Sequence, residues 1–537
     1  MLERIKQIFF TALLAGLLLT GSAADSPMAQ GPDRAQAPTG AKSRVFVHAD
    51  DAAHKRALIA IAERGLRHQF VSPGNELSFS AELTAGQIRA MERLGASIEA
   101  VPLATPMTRT RRYGALRKIA TPAGKAVCGN DICEPGENAN KCSLDCGAAD
   151  QDQVDPTRTC EPQDQREYQT LLLSGVPPAG TSPGSGFKLL VIDTGVNTEH
   201  PDLDVTFCRD VTSPSIKNKC NDQIGHGTHT AGSAAANGGA DGLGLYGTAP
   251  GVTLGMSKVC GAKFCWIDDV ARGIEDGVAN FVPHVISMSL GGPEVEVLVN
   301  AIDAAVAGGA LIVVSAGNAG PGANTISYPA SDPDVVAVGM LDAAHIANRM
   351  SSRGAQLELT GGGFVIESTA MDGCYQIKSG TSMSTPSVAG FAAANWQSDA
   401  TTTRTYLQSV ADDINNYDVL SGYDGTGSGF DTSTGYGLPR TNSGMDGFAG
   451  AAVQATVNGD GTVGIAVSGP DANANYRIGV TSPSGDWTYG EFTTEANGTD
   501  TLTLTPWPDS GTWLLTVDFG GGGSNFWAAF GIFEQTD

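Results

Sequence analysis

The longest part of the chain alternates short apolar runs with alanine-rich stretches of helical spacing. Four near-continuous apolar runs lie between residues 160 and 445, namely FKLLVID, PHVISMSL, ALIVVSAGN and VVAVGML. Apolar runs without polar alternation are typical of parallel strands buried on both faces, with the intervening helices as crossovers. The pattern therefore predicts an α/β domain with a mostly parallel central sheet and helices on both faces.

Two flanking regions have different patterns. Residues 43–103 predict a small α+β unit with strands at SRVFV, LRHQFVS, ELSFSAEL and SIEAVPLA and helices at DAAHKRALIAIAERG and TAGQIRAMERLG. Residues 450–537 alternate apolar and polar positions in short runs separated by turn residues, which is typical of an antiparallel β-sandwich. A chain of 537 residues is too long for one core, so several folded regions are expected.

The first 24 residues have the order of a signal peptide. Arg4 and Lys6 precede an apolar core at 8–19, and small residues follow at 21–24. A membrane anchor is the alternative, but the apolar core is short and no stop-transfer pattern follows. We therefore expect a signal peptide at 1–24, a linker at 25–42, secretion to the extracellular space and no membrane association after cleavage.

Charge is unevenly distributed along the chain. The formal net charge is −24, from 33 Lys and Arg residues and 57 Asp and Glu residues. Residues 1–118 hold 16 of the basic and only 10 of the acidic residues, so the excess of acid lies in the remainder. Such a surface repels nucleic acids and anionic lipids, which excludes both as expected partners.

The ten cysteines predict disulfides, because their number is even and the chain is expected to be exported. Four of them fall in an acidic loop at 128–150, whose oxygen ligands suit calcium: Asp131, Glu134, Glu137, Asn138 and Asp145. A solvated acidic loop held by two disulfides is the alternative. Cys208–Cys220 and Cys260–Cys265 are close in sequence, and Cys160–Cys374 remains if the loop pairs internally, but the connectivity stays open.

Three residues in separate parts of the α/β region are candidates for nucleophilic catalysis. Asp193 directly follows a buried strand, His226 stands between two glycines before an alanine-rich helix, and Ser382 precedes a helix opened by Pro386. A serine needs a base to accept its proton, and the base needs a carboxylate to orient it. Asn318, after another buried strand, could donate to an oxyanion. His229 offers a metal-binding pair with His226 as an alternative, but no HExxH-type base accompanies it.

The motifs DTG, GHGTH, SAGN and GTSMSxP, in this order, resemble those of the subtilisin-like serine proteases, or subtilases. HPDL, SMSLGG, YPAS and GTAPG extend the resemblance across residues 155–446. It implies a serine endopeptidase acting on proteins and peptides through the triad Asp193, His226 and Ser382, with Asn318 in the oxyanion hole. It further implies a substrate-binding role for two short segments, which comprise Ser289, Leu290, Gly291, Ser315, Ala316 and Gly317.

The resemblance also implies a zymogen. Residues 43–105 are similar to the propeptides that act as chaperones and inhibitors in this family, with the tail of the propeptide in the substrate cleft. The basic linker at 106–127 contains the run MTRTRRYGALRK, which is a candidate cleavage region, with a solvated linker as the alternative. No organic cofactor is implied, but structural calcium is, with Asp202 of HPDL as a possible ligand. We expect a monomer whose partners are its substrates and its own propeptide.

Two positions depart from the family pattern: Ser384 replaces an alanine and Ser387 a histidine in the helix after Ser382. Neither is a triad residue, so these changes do not exclude activity. A second hypothesis is a catalytically silent secreted protein that keeps the fold and uses the C-terminal sandwich and the acidic loop for adhesion, although the complete set of triad residues argues against it. For an active enzyme, the small residues of the pocket walls favour a large apolar side chain before the scissile bond.

Overall fold

A parallel sheet of seven strands organises the middle of the chain, between a smaller N-terminal sheet and two C-terminal sheets. This computed structural model describes residues 41–107, 116–118, 160, 162, 165–174, 181–262, 264–320, 322–414 and 429–441, and the strands between 452 and 535. The expected signal peptide, most of the linker at 25–42 and the acidic four-cysteine loop at 128–150 lie outside the described residues.

The N-terminal region forms a four-stranded sheet with two helices. Its elements are β1 (Lys42–His48), α1 (Ala52–Ala62), β2 (Leu66–Gln69), β3 (Ser78–Thr84), α2 (Ala85–Glu92) and β4 (Ser97–Ala100), with strand order β2-β3-β1-β4. Thr84 begins α2 with a capping box, because its hydroxyl accepts from the Gln87 N–H and the Gln87 side chain accepts from the Thr84 N–H. Val45, Val47 and Phe79 lie in its buried core.

Two further strands follow, β5 (Leu103–Pro106) and β6 (Leu116–Lys118), and neither joins the N-terminal sheet. The single strand expected at SIEAVPLA is thus divided into β4 and β5. Pro102 lies at the division, and a proline has no N–H to donate to a strand ladder. The division frees β5 to pair with other strands.

The central region contains the elements that position the candidate site. They are α3 (Tyr168–Ser174), β7 (Lys188–Asp193), β8 (Val205–Asp210), α4 (His226–Ala235), β9 (Thr253–Lys258), β10 (Cys265–Trp266), α5 (Ile267–Asn280), β11 (Val285–Met288), β12 (Leu290–Gly291), α6 (Glu296–Ala307), β13 (Leu311–Ser315), β14 (Val336–Leu341), β15 (Leu357–Gly362), β16 (Ile366–Thr369), β17 (Tyr375–Lys378), α7 (Thr381–Ala394), α8 (Ala400–Ser409), β18 (Ala411–Asp412) and β19 (Leu438–Pro439). The sheet order is β15-β14-β13-β11-β7-β9-β8, and every pairing within it is parallel. The predicted α/β fold is confirmed.

Both faces of this sheet are covered, which explains the unbroken apolar runs. In β7, Leu189 and Val191 pack in a core that includes residues of α4 and α7, whereas Leu190 and Ile192 pack in a second core with residues of α5 and α6. Alternate side chains of a strand point to opposite faces, so both sets must be apolar.

Three disulfides lie within the described residues, and they are the three pairings considered from the sequence: Cys160–Cys374, Cys208–Cys220 and Cys260–Cys265. The first ties Cys160, before the first helix of the central region, to the turn between the antiparallel strands β16 and β17. The third joins two residues only five apart, one of which, Cys265, begins β10.

The C-terminal strands form two antiparallel sheets, as expected for a sandwich. They are β20 (Ala452–Val457), β21 (Val463–Ser468), β22 (Asn475–Thr481), β23 (Trp487–Thr493), β24 (Thr499–Leu504), β25 (Gly511–Gly520) and β26 (Phe526–Gln535). Their orders are β20-β21-β24-β6 and β23-β22-β25-β26, so one sheet includes a strand that precedes the central region. No helix among the described residues is long and apolar enough to cross a membrane.

Candidate active site

The three predicted triad residues lie at the end of a strand and in the first turns of two helices. Asp193 is the last residue of β7, His226 is the first residue of α4, and Ser382 is the second residue of α7. Gly225 and Gly380, which precede the two helices, have φ values of 80° and 149°, and a glycine adopts such angles without strain. All three triad side chains are almost fully buried.

Asp193 and His226 are joined by a hydrogen bond of 2.7 Å between Oδ1 and Nδ1. The same carboxylate accepts from the Thr194 N–H at 2.6 Å and from the Thr230 hydroxyl at 3.2 Å, which fixes its orientation. A carboxylate at Nδ1 favours a proton on that nitrogen and leaves Nε2 as the acceptor. Nε2 of His226 is buried and has no hydrogen-bond partner among the described residues.

Ser382 is engaged with Ser289 rather than with His226. The Ser382 hydroxyl donates to the Ser289 carbonyl oxygen at 3.3 Å, and the Ser289 hydroxyl donates to the Ser382 carbonyl oxygen at 3.0 Å. The structure therefore pairs Asp193 with His226, and it places the Ser382 hydroxyl in a different hydrogen bond. Hydrogen bonds between a nucleophile and its base often tighten only in the reacting complex.

Asp222 links the turns that carry Asp193 and His226. Its carboxylate accepts from the Thr194 hydroxyl at 2.9 Å and from three backbone N–H groups at 2.9–3.0 Å, those of Ile224, Gly225 and Thr228. Burial alone would raise the pKa of Asp222, but these hydrogen bonds hold it below its usual value. The ionised carboxylate thus ties the residue after Asp193 to the residue before His226.

The carbonyl oxygen of Met107 lies between two hydrogen-bond donors of the site. The side-chain amide of Asn318 donates to it at 2.7 Å, and the backbone N–H of Ser382 donates at 3.2 Å. The Asn318 amide is oriented by Thr381, whose N–H and hydroxyl donate to Asn318 Oδ1 at 3.0 and 3.1 Å. Two donors on one carbonyl oxygen are the arrangement that stabilises an oxyanion.

Strand β5 lies between two short strands of the central region. It pairs antiparallel with β12, with Pro106 opposite Leu290 and Thr105 opposite Gly291. On its other edge it pairs antiparallel with β10. The Met107 N–H extends this pairing with a hydrogen bond of 3.1 Å to the Ser289 carbonyl oxygen. Main-chain pairing of this kind binds an extended peptide largely independently of its side chains.

The side chain of Met107 lies against Gly291. A Cβ atom on Gly291 would collide with Cε of Met107 and would lie 2.6 Å from the Ser327 hydroxyl oxygen. A Cβ on Gly317 would lie 3.5 Å from the same hydroxyl. The predicted walls Ser289–Gly291 and Ser315–Gly317 therefore approach each other around Ser327, whose hydroxyl is buried and has no hydrogen-bond partner among the described residues.

Asp202, the possible calcium ligand, is buried beside the loop that follows α4. Its Oδ2 accepts from the Leu245 N–H at 2.8 Å and from the Tyr375 hydroxyl at 2.6 Å. A Cβ on Gly239 would lie 3.1 Å from Asp202 Oδ1 and 3.7 Å from Asp241 Oδ1, so this loop brings a second carboxylate near the first. Such oxygen donors fit calcium, although half of the Asp202 carboxylate is already hydrogen-bonded.

A charged cluster joins the N-terminal region to the start of α5. Arg44 donates to Asp268 at 2.9 Å and to Asp269 at 2.6 Å, and His68 lies 2.6 Å from Asp269. Burial raises the pKa of Asp269 to about 6 and lowers the pKa of His68 to about 3. Because Arg44 already forms hydrogen bonds with both carboxylates, these residues form a contact between the N-terminal region and α5 rather than a metal centre.

His229, the alternative metal ligand, makes backbone contacts instead. Its Nε2 lies 3.1 Å from the Ile366 carbonyl oxygen and 2.9 Å from that of Gln376, on β16 and β17. Burial lowers the pKa of His229 well below its usual value, so the neutral ring is favoured. His229 therefore connects α4 to the paired strands β16 and β17.

Sequence reasoning missed several residues at this site: Met107, Thr194, Asp222, Thr230, Ser327 and Thr381. Thr194 and Thr381 lie within the quoted motifs and Thr230 directly follows GHGTH, so their closeness in sequence to the triad residues could have indicated a role at the site. Asp222 lies four residues before His226, where an Asp-x-x-Gly turn would have suggested a cap for the helix. No local signal marked Met107 or Ser327.

Comparison with known proteins identifies the family. Residues 184–437 match the model of the subtilase family. A subtilisin of Bacillus sp. (strain TA39) is 38% identical over 289 residues, which cover 48% of this chain and 68% of that protein. A subtilisin of Bacillus pumilus is 36% identical over 251 residues, which cover 45% of this chain and 89% of that protein. The solved structure of sphericase, 35% identical, covers 50% of this chain and 93% of its own, with a TM-score of 0.46. By its identity to these subtilisins, the chain belongs to the subtilase family and is a subtilisin-like serine protease.

Proposed function

We propose that this protein is a secreted serine endopeptidase, made as a zymogen, in which Ser382 forms the acyl-enzyme. The observation that carries the proposal is the Met107 carbonyl oxygen, held by Asn318 and by the Ser382 N–H at the end of a paired extended strand. A peptide in this position presents its carbonyl carbon to the nucleophile and its oxygen to the two donors.

In the proposed reaction, the Ser382 hydroxyl attacks the carbonyl carbon and its proton passes to Nε2 of His226. The negative charge that develops on the carbonyl oxygen is stabilised by Asn318 and the Ser382 N–H. His226 then gives the proton to the leaving amine, and the C–N bond breaks to leave an ester on Ser382. Water, deprotonated by His226, hydrolyses that ester, while Asp193 orients the ring and stabilises its charged form.

The first substrate is the chain itself. Residues 43–107 act as the propeptide, and Ser382 cleaves the bond between Met107 and Thr108. Strand β5 ends at Pro106 and the Met107 N–H continues its pairing, so the paired segment extends two residues beyond the propeptide end expected from the sequence. After cleavage, β5 keeps its pairing on both edges, so the released carboxyl end remains in the cleft and inhibits the enzyme.

The pocket that holds Met107 indicates the preferred substrate. Gly291 leaves room for an unbranched side chain, and the buried Ser327 hydroxyl lies beside Gly291 and Gly317. We propose a preference for methionine and similar extended apolar residues before the scissile bond, which narrows the expectation of a large apolar residue. We further propose that structural calcium binds at Asp202 and that the enzyme uses no organic cofactor. The secreted form is proposed to be a monomer.

The experiment compares the full chain with Ser382→Ala and with Ser384→Ala, a matched serine two residues away. The wild type and Ser384→Ala should yield a mature N-terminus at Thr108 and react with a fluorophosphonate. Ser382→Ala should stay uncleaved and unlabelled. Full labelling of Ser382→Ala, or its cleavage at Met107, would contradict the assignment of the nucleophile.

A further inference from the structure

The strand β10 contains only two residues, yet it forms one edge of the cleft that holds β5. Cys265 lies opposite Ala104 and Trp266 lies opposite Leu103. The Ile267 N–H extends the contact with a hydrogen bond of 3.2 Å to the Pro102 carbonyl oxygen. A two-residue strand has little pairing of its own to define its position, so other contacts must hold it.

One side of β10 is fixed by α5, which begins directly after Trp266. The other side is fixed by the Cys260–Cys265 disulfide, with a Cα–Cα distance of 4.0 Å. Within the loop, the Gly261 N–H donates to the Phe264 carbonyl oxygen at 2.9 Å. The disulfide thus closes a six-residue loop onto the residue that pairs with Ala104.

Cys260 connects this loop to the central sheet beside the triad. It lies two residues after β9, whose last residue, Lys258, is opposite Asp193. The Val259 N–H donates to the Asp193 carbonyl oxygen at 2.9 Å. The disulfide therefore connects β10 to the backbone next to Asp193, and both cysteines are only 1% exposed within an apolar core that also includes Ala104.

We propose that the Cys260–Cys265 disulfide is a determinant of extended-substrate recognition, which it exerts by positioning β10. This inference rests on the proposed function, in which Met107 precedes the scissile bond. On that numbering, β12 binds the second and third residues before the bond, Pro106 and Thr105. Strand β10 and Ile267 bind the fourth to sixth residues, Ala104, Leu103 and Pro102.

Because β12 and β10 contact different residues before the scissile bond, substrates of different length test the two strands separately. A short substrate, Thr-Pro-Met-p-nitroanilide with a blocked N-terminus, reaches only β12. A long substrate, Pro-Leu-Ala-Thr-Pro-Met-p-nitroanilide, reproduces residues 102–107 and also reaches β10. Because pairing with β10 and Ile267 adds main-chain hydrogen bonds, kcat/KM of the mature wild type should be about tenfold higher for the long substrate.

The test variant is Cys260→Ser/Cys265→Ser, and Cys260→Ala/Cys265→Val keeps more apolar volume if the first folds poorly. We expect the ratio of kcat/KM for the long and short substrates to fall toward one, while kcat/KM for the short substrate changes little. The matched control, Cys208→Ser/Cys220→Ser, removes a disulfide outside the cleft and should retain the wild-type ratio.

The outcomes separate the hypotheses. A wild-type ratio that persists in both Cys260/Cys265 variants, or an equal loss on both substrates, would overturn the role of the disulfide. If the ratio of kcat/KM for the long and short substrates falls equally in the Cys208→Ser/Cys220→Ser control, the cause is a general loss of stability. That result would also overturn the proposed role of the Cys260–Cys265 disulfide. A wild type that hydrolyses neither substrate would refute the proposed function itself.

Discussion

Thr381 and Asn318 are joined by two hydrogen bonds to the same atom. The backbone N–H and the hydroxyl of Thr381 both donate to Oδ1 of Asn318, at 3.0 and 3.1 Å. Because the amide oxygen is held in this way, the amide nitrogen is directed to the Met107 carbonyl oxygen, 2.7 Å away. The donor is thus oriented before any charge develops on the oxygen.

Asn318→Ala should therefore slow turnover without preventing substrate binding. Loss of one oxyanion donor in subtilisin lowers kcat about 10²–10³-fold, and we expect a similar loss here with little change in KM. Steady-state kinetics on a short peptide substrate measure both constants. Asn280→Ala, at an exposed position, is the control; an unchanged kcat in Asn318→Ala would remove this residue from the oxyanion hole.

Gly291→Ala should change which residue is accepted before the scissile bond. The added Cβ would collide with a methionine side chain in the position of Met107. Since burial of such a side chain contributes about 1.5–3 kcal/mol, kcat/KM for a methionine substrate should fall about 10–100-fold. An alanine substrate should lose much less.

The control for this variant is Gly322→Ala, where the new Cβ meets only an ordinary contact of 3.5 Å. The ratio of kcat/KM for methionine and alanine substrates is compared in the two variants and the wild type. If that ratio is the same in all three, the methionine side chain does not occupy the space beside Gly291.

The sequence predicted the central sheet and the contexts of Asp193, His226 and Ser382, because those signals are local. An apolar run that ends in Asp-Thr-Gly, or a histidine between glycines before an alanine-rich helix, needs no knowledge of distant residues. The alternation of Leu189, Leu190, Val191 and Ile192 between two cores likewise follows from one strand buried on both faces.

The residue that occupies the cleft could not be predicted in this way. Resemblance to the family implied that the tail of the N-terminal region lies there, but the register depends on pairing between β5 and strands more than 150 residues away. The division of SIEAVPLA at Pro102 moved the strand end to Pro106 and placed Met107 against Asn318. The local turn could have suggested that Asp222 caps the helix of His226, but its hydrogen bond to Thr194, 28 residues away, could not be predicted from the sequence.

Arg44→Ala should weaken inhibition by the N-terminal region. The Arg44 side chain is 6% exposed and pairs with Asp268 and Asp269, which are 0% and 1% exposed. Removing one partner of a buried ion pair typically costs about 3–5 kcal/mol, since the remaining charges stay buried. The cleaved propeptide should therefore dissociate faster.

The measurement uses the full chain and records the delay between cleavage at Met107 and the appearance of peptidase activity. Arg44→Ala should shorten this delay at least tenfold, whereas Arg56→Ala, an exposed arginine of the same region, should leave it unchanged. An equal delay in all three proteins would show that the Arg44 cluster does not hold the propeptide in place.

Removal of calcium should lower the melting temperature through Asp202. A ligand at one hundred times its Kd stabilises the folded state by about 2.7 kcal/mol, so excess chelator should lower Tm by several degrees. Asp202→Ala should lower Tm by itself and abolish the further effect of chelator.

Tyr375→Phe is the matched control, because it removes the 2.6 Å hydrogen bond to Asp202 and keeps the carboxylate. It should retain the chelator effect, which separates loss of calcium from loss of hydrogen bonding. A chelator effect of equal size in Asp202→Ala would place any calcium elsewhere in the chain, and no effect on the wild type would contradict structural calcium altogether.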